Sequence, residues 1–543
     1  MNCFLRASGR WMICCMSLAM SLIVLGQSKT WNIVDYGAKT TPGVINTTVI
    51  QQAIDDASAA GGGVVLVPRG VFTTGAIMLK SGVELHLAEG SALEGSSYRK
   101  DYEHVRKPAL IMASGQSNIS VTGKGVIDGK GRQLLKDIFK RLEEGTLTDP
   151  DWKTKRPREG TRTNLIYFED CSNILVKGVL LRDATSWVTH YERSRNIVID
   201  SIRLESTAYW NNDGVDIVDC RNVRITNSEI NTADDAICLK SARRGDYCDS
   251  IYVSDCTLRS SASAFKIGTG SIGGFRNITV RNITVYSTYR SAIALEAVDG
   301  GFLENIDVDG VKAKMTGNAI FIKLGHRNKD GQYSVVRNIS IRNMQVEVPA
   351  GKPDIGYEME GPTLKYPPGL RPDGSFKSVS PWNNSYKDTA AIPYLHNVFP
   401  SSVSGLPGHP VENVRLENIE ISYAGGANRK VNFFPLDSFQ LITEAEKEYP
   451  EFSMFGEIPV WGFYARHVRG LSMTNVRMVN KKTDYRTAML LNDVEAASLK
   501  ELTLDGATSA PVLFLHDVKP LEMKDVTIPG KLKNKIRNNT TNH

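Results

Sequence analysis

Cysteine is scarce in this chain, with eight in 543 residues. Cys3, Cys14 and Cys15 lie in an N-terminal segment expected to be removed. The other five, Cys171, Cys220, Cys238, Cys248 and Cys256, form no CxxC pair, which argues against a structural zinc site. Their odd number argues against a disulfide framework. Cys171, Cys220 and Cys256 each follow an aspartate and are expected to pack inside the fold without bridges. Past residue 25 no apolar run is long enough to span a bilayer. Blocks of one charge are also missing. The net charge is +6, and the one basic run is the C-terminal KLKNKIRNNTTNH, read as a solvated, flexible tail and not as a nucleic-acid arm. The Gly-rich GTGSIGG at 268–274 is not followed by a strand–helix unit, so it is a weak phosphate signal.

What is present begins at the N-terminus. Arg6 and Arg10 precede the apolar run WMICCMSLAMSLIVL and then Gly26, Gln27 and Ser28. A positive flank, a short apolar core and small residues make a secretory signal. The layout expected is a signal peptide at 1–26, one domain at 27–530 and the basic tail at 531–543, with the mature protein secreted or periplasmic. Residues 46–60 place Val49, Ile50, Ala53, Ile54 and Ala57 on one helical face before Gly61-Gly62-Gly63. Such a helix suits the job of covering the apolar end of a solenoid.

From Gly63 short alternating segments take over, and a phrase led by asparagine recurs: NISVTGKGVIDG from Asn118, NILVKGVLLRDA from Asn173, NIVIDSIRLEST from Asn196 and NVRITNSEINTA from Asn222. It returns at Asn277, Asn305, Asn338 and Asn413. Spacings of 23, 26 and 28 residues fit a coil of two or three short strands per turn, with β-branched residues inward and the asparagine at a stacked bend. The fold expected is all-β, a parallel β-helix with an N-terminal capping helix and long loop insertions. The insertions are residues 129–163, with a short helix carrying Leu134, Leu135, Ile138, Phe139 and Leu142, and residues 351–410 and 431–461. Their aromatics suit either sugar platforms or packing of the loops onto the coil.

One stretch, residues 211–240 (NNDGVDIVDCRNVRITNSEINTADDAICLK), carries the chemistry. Asp234 and Asp235 follow Asp213 by 21 and 22 residues, so one coil turn stacks them into a single carboxylate patch. Close carboxylates repel, so one keeps its proton as a general acid while another activates water. Inversion leaves room for that water with carboxyls about 6.5–9.5 Å apart, a gap that two rungs and a side chain can span. His190, beside Trp187, lies 23 residues before Asp213, and Asn211, Lys240 and Lys266 complete the expected substrate-binding set. The lysines suit an acidic sugar. Each lysine could also simply offset the aspartates, a reading that fits Lys240 better than Lys266, which is wedged among small residues, and His190 also suits a structural role.

NNDGVD, TADDAICLKS and KIGTGSIGG, on such a coil behind a signal peptide, resemble glycoside hydrolase family 28, the polygalacturonase family. The resemblance extends to WNIVDYGAK, TTVIQQAIDDASAAGGGVVLVPRG, PGHPVENVRLENI and YPEFSMFGEIPVWGFYARHV. It implies a single-stranded, right-handed, pectin-lyase-like β-helix. It implies Asp234 as general acid, Asp213 and Asp235 as activators of water, inversion of configuration and no metal or cofactor. The substrate it implies is an acidic plant cell-wall polysaccharide or oligosaccharide, and a monomer is expected. The chain departs from the family at two places. SASAF stands where a Gly-His-Gly phrase is expected, and residues 293–297, IALEA, put Ala294 and Glu296 where an Arg-Ile-Lys phrase carries two cations. This marks a divergent branch, directed at rhamnogalacturonan, xylogalacturonan or chain-end uronic acids, and insertions closing one end of the groove would favour chain-end attack. Two other readings stay open: a β-helix polysaccharide lyase, with the aspartates on calcium and Lys266 as base, and a non-catalytic glycan-binding solenoid.

Overall fold

The computed structural model describes residues 29–153, 156–351, 353, 399–426, 434–456, 458–507, 511–531 and 534–539. The segment read as a signal peptide lies outside the described residues, as does most of the 351–410 insertion. The strand pairings are parallel among the described residues, apart from an isolated antiparallel bridge between Leu406 and His409. Each strand pairs with its counterpart one turn later, as where Ser172–Lys177 pairs with Arg195–Asp200, which pairs in turn with Arg221–Thr226. This is a parallel β-helix.

Alternation within each strand explains the coil. One side chain of every second residue points inward, and the inward residues stack in columns. Ile174, Ile197, Val223, Ile251, Ile278, Ile306, Ile339, Val414 and Leu471 form one such column through consecutive pairings, and all are buried. Each buried aliphatic side chain contributes about 1.5–3 kcal/mol, and their β-branching fits the extended backbone. The leading asparagines sit at the bends in the left-handed conformation, with φ between 55° and 59° at Asn118, Asn173, Asn196, Asn222, Asn277, Asn305, Asn338 and Asn413. Their side-chain amides hydrogen-bond from rung to rung, Asn173 to Asn118 at 2.9 Å, Asn196 to Asn173 at 2.8 Å and Asn222 to Asn196 at 2.8 Å. Asparagine tolerates that conformation and satisfies its neighbour at the same time.

Helix α1 (Thr47–Ala59) buries Ile50, Ala53, Ile54 and Ala57 against the first turns, as its pattern predicts. Helix α2 (Gly131–Glu143) buries Leu134, Leu135, Ile138, Phe139 and Leu142, the face expected for the first insertion. The five cysteines are buried and free of bridges. The tail is a correction. Ile536–Asn539 is not frayed but pairs in register with Leu513–His516, because the last turn of the coil leaves an unpaired strand edge that this segment can satisfy. No helix among the described residues is long and apolar enough to cross a membrane.

Candidate active site

One outward-facing column organises the site. Tyr167, His190, Asp216, Cys238, Lys266, Ala294 and Phe321 lie in register on successive rungs. Asp213 and Asp235 stand two residues before Val215 and Ile237, which pair directly, so they are one rung apart. The Gly214 N–H donates to the Asp235 carbonyl at 2.9 Å, and a Cβ at Gly214 would come within 2.5 Å of the Ala236 carbonyl. Only glycine lets the two aspartate-bearing turns approach so closely.

The three aspartates predicted to meet do meet: one oxygen of each of Asp213, Asp234 and Asp235 lies within 4.8 Å of the others. This is the approach of one oxygen from each acid, with Asp213 and Asp235 one rung apart. A single water can still hydrogen-bond to two oxygens at this distance, with about 2.8 Å to each. Asp213 and Asp235 are buried and Asp234 is half-buried at the surface.

Their environments differ. Burial pushes the Asp213 carboxyl well above the usual carboxylate range, overriding the Lys240 ammonium 3.0 Å away, and Asp216 adds to the rise. Burial works in the same direction on Asp235, but Lys266 at 3.1 Å, then Arg290 and Lys240, and the Ser263 N–H at 2.9 Å hold that carboxyl below the usual range. One member of the cluster therefore keeps a proton while another stays ionised. Burial also drives Asp216 up to about 7.

Asn211, at φ 58°, accepts from Arg162 at 2.8 Å and donates to Asp234 at 3.5 Å, so it orients that half-buried acid. Lys240 and Lys266 do not present free ammonium groups. Lys240 bridges Asp213 and Asp216 and lies 4.1 Å over the Trp187 ring. Lys266 is 1% exposed, with Asp235, Glu296 at 3.9 Å and the Tyr449 hydroxyl at 3.2 Å around it. His190 sits one rung below Asp216, edge-on to Tyr167 and Trp187 with ring centroids 4.8 Å away in each case. Burial lowers its pKa to about 3, so the ring is neutral. The aspartate cluster has the spacing of a cation site, but the ammonium groups of Lys240 and Lys266 already supply positive charge to Asp213 and Asp235.

Sequence reasoning missed Arg162, Arg290, Tyr449 and Glu451. Arg290 was within reach, since it precedes Ile293 by the same three residues by which Asp234 precedes Ile237. Tyr449 and Glu451 belong to the 431–461 insertion, and no local pattern says where that segment lands. It lands on the column. Ala294, Phe321, Tyr464, Leu490 and Phe514 pack with Phe434, Phe439, Phe452, Met454 and Phe455 in one apolar cluster. Arg466 donates to the Ile442 carbonyl at 2.6 Å, and Lys323 donates to the Glu444 carbonyl at 2.8 Å, fastening this plug. At the opposite end Tyr167 and Met112 are buried with Val105 packed on them. Among the described residues the acids lie between these two apolar clusters along the column.

Residues 59–294 match the family model for glycosyl hydrolases family 28, a window that contains all three aspartates and ends at the rung where the plug begins. The chain is 24% identical over 448 residues to the exo-poly-alpha-D-galacturonosidase of Dickeya chrysanthemi, spanning 72% of this chain and 71% of that protein. It is 24% identical over 419 residues to a probable polygalacturonase of Vitis vinifera, spanning 73% and 75%. It is 24% identical over 322 residues to a probable rhamnogalacturonase A of Aspergillus oryzae, spanning 59% and 60%. Among solved structures, the exopolygalacturonase of Thermotoga maritima aligns with a TM-score of 0.54 at 23% identity, over 73% of this chain and 87% of that one. The family 28 exopolygalacturonase of Yersinia enterocolitica aligns with a TM-score of 0.52 at 18% identity, over 93% and 79%. At those identities the structural likeness is one of fold.

Proposed function

We propose that the chain is a divergent member of glycosyl hydrolases family 28, a glycoside hydrolase of the pectinase type that removes sugars from the ends of pectic, uronic-acid-containing chains by single displacement. The observation that carries this reading is the carboxylate cluster, one of whose members is held ionised by Lys266 while burial keeps a proton on another.

Asp234 reaches the surface and is steadied by Asn211, so it is the member placed to meet a glycosidic oxygen. The proton that the cluster retains is delivered through Asp234 to that oxygen as the C–O bond breaks. A water held between Asp213 and Asp235 attacks the anomeric carbon from the opposite face and passes its proton to Asp235. The proton taken up by Asp235 passes back to its neighbours in the cluster, which returns Asp235 to its ionised state and restores the acid for the next cycle. The plug supports end-directed action: a polymer cannot lie along a column that is filled from Ala294 onward. The signal-like N-terminus supports secretion, and the protein is proposed to act as a monomer, with 27–530 as its enzymatic domain.

The test is product analysis of wild type and Asp234→Asn on pectic fractions. Single sugars or short oligosaccharides released without new ultraviolet absorbance, with activity lower by roughly 10²–10⁴ in the variant, are expected. A product with a conjugated double bond would instead establish a lyase. Proton NMR of the first product reads the stereochemistry. Inversion is expected, and retention would reassign one aspartate as a nucleophile.

A further inference from the structure

Residues 444–451 of the plug reach back along the coil toward the acids. The Glu444 carbonyl accepts from Lys323 at 2.8 Å, and the Glu446 carbonyl accepts from the His326 N–H at 2.9 Å. Glu451 pairs with Arg290 at 3.4 Å, and the Tyr449 hydroxyl accepts from Lys266 at 3.2 Å. Lys323 is in register with Glu296, and Lys266 with Ala294, two residues earlier on that same strand. The segment therefore crosses from the rung of Lys323 to the rung of Lys266, which follows the rung of Asp235.

An ammonium group carries three hydrogens and needs acceptors for them, and the buried Lys266 has little water to turn to. Asp235 at 3.1 Å and Tyr449 at 3.2 Å are within hydrogen-bonding reach. Glu296 is 3.9 Å away, and its Oε2 is buried with no hydrogen-bond partner among the described residues. Burial pushes Glu296 up to about 8, so near neutrality it offers a carboxyl oxygen and not a charge. Asp235 lies on the rung before Lys266 and Glu296 on the rung after, so an ammonium group that moves to one leaves the other. The other charged neighbours are held already: Arg290 by Glu451, Lys240 by Asp213 and Asp216, and Arg327 by Asp299. Burial keeps the Cys238 thiol neutral.

We infer that Tyr449 is a positioning residue for hydrolysis: its hydroxyl keeps Lys266 on Asp235 and away from Glu296, so the docked insertion completes the base that activates water. This rests on the hydrolase reading above and adds a residue from outside the aspartate cluster. Without the hydroxyl, the second acceptor left to Lys266 is Glu296, and Asp235 loses part of the positive charge that keeps it ionised. Tyr449 is 51% exposed, so replacing it by phenylalanine removes this one contact and leaves no buried cavity.

The experiment measures kcat and KM across pH for wild type, Tyr449→Phe and Tyr449→Phe/Glu296→Met on a pectic oligosaccharide that wild type cuts. Tyr449→Phe is expected to move the acidic limb of kcat up by about one pH unit, a tenfold change in the ionisation of Asp235, with KM within about twofold. Glu296→Met removes the competing acceptor, so in the double variant the limb is expected to return to its wild-type place. A tyrosine that served only packing would leave the limb where it is. A limb that Tyr449→Phe does not move, or that the second substitution does not restore, overturns the inference and leaves hydrolysis intact. The single variant decides if the double one does not fold. If wild type cuts no pectic fraction, the hydrolase reading fails by itself. Difference infrared spectroscopy then follows, as pH falls, the protonated-carboxyl band that Asp235→Asn lacks. Its onset at higher pH in Tyr449→Phe supports the contact, and an unchanged onset overturns it.

Discussion

The column that begins at Tyr167 changes character halfway. From Tyr167 to Lys266 it carries a phenol, an imidazole, a carboxyl, a thiol and an ammonium group; from Ala294 to Phe514 it is mostly apolar and lies under the plug. The backbone pairing is the same in both halves. A β-helix thus offers one repeating wall, and the aspartate cluster lies where polar side chains give way to a surface that an insertion covers. Buried charge in the first half is balanced by ion pairs, whereas the second half is held by aromatic packing and by Lys323 and Arg466 gripping the plug backbone.

The sharpest way to break that balance is Lys266→Met. It leaves Asp235 and Glu296 buried without their cation, and removing one partner of a buried pair costs about 3–5 kcal/mol. Urea unfolding should show that loss, and activity should fall with it as Asp235 loses its ionised state. The other half is tested by Phe452→Ala, which removes a ring packed 5.4 Å from Phe399 and 6.3 Å from Tyr289. About 3 kcal/mol of plug docking is expected to go. Faster hydrogen exchange at Leu436–Leu441 and the appearance of mixed-length products would report an opened column.

A smaller effect separates the halves by pH. Burial pushes Glu296 up to about 8 from an ordinary value near 4.5. A raised carboxyl pKa means the folded state holds the extra proton, so stability falls as pH rises through that window. Wild type is expected to lose on the order of 2 kcal/mol between pH 5 and 8, and Glu296→Gln to lose less, as read by thermal melts. Smallest is Asn196→Ala at the bend outside the site. It removes two ladder hydrogen bonds and places alanine at φ 55°, for about 1–2 kcal/mol with activity unchanged.

Much of this was legible beforehand. The coil, the asparagine ladder and the buried faces of α1 and α2 follow from period and propensity, which are local. The meeting of Asp213 with Asp234 and Asp235 follows from the period once the coil is accepted. That Lys240 and Lys266 are engaged by carboxyls of the chain itself was one of two readings the sequence left open, because burial depends on what covers them. The terminal strand at Ile536–Asn539 was hidden by its charged composition, since backbone pairing at an edge needs no apolar side chains.

The sequence by itself determined the repeating wall and which residues share a rung, because strand periodicity is written residue by residue and stacking turns it into register. Only the tertiary structure decided which half of the column the insertion covers and that Tyr449 and Glu451 come to lie against Lys266 and Arg290. Those depend on where a nonrepeating insertion comes to rest, and that is set by aromatic packing and buried cations far apart in the chain.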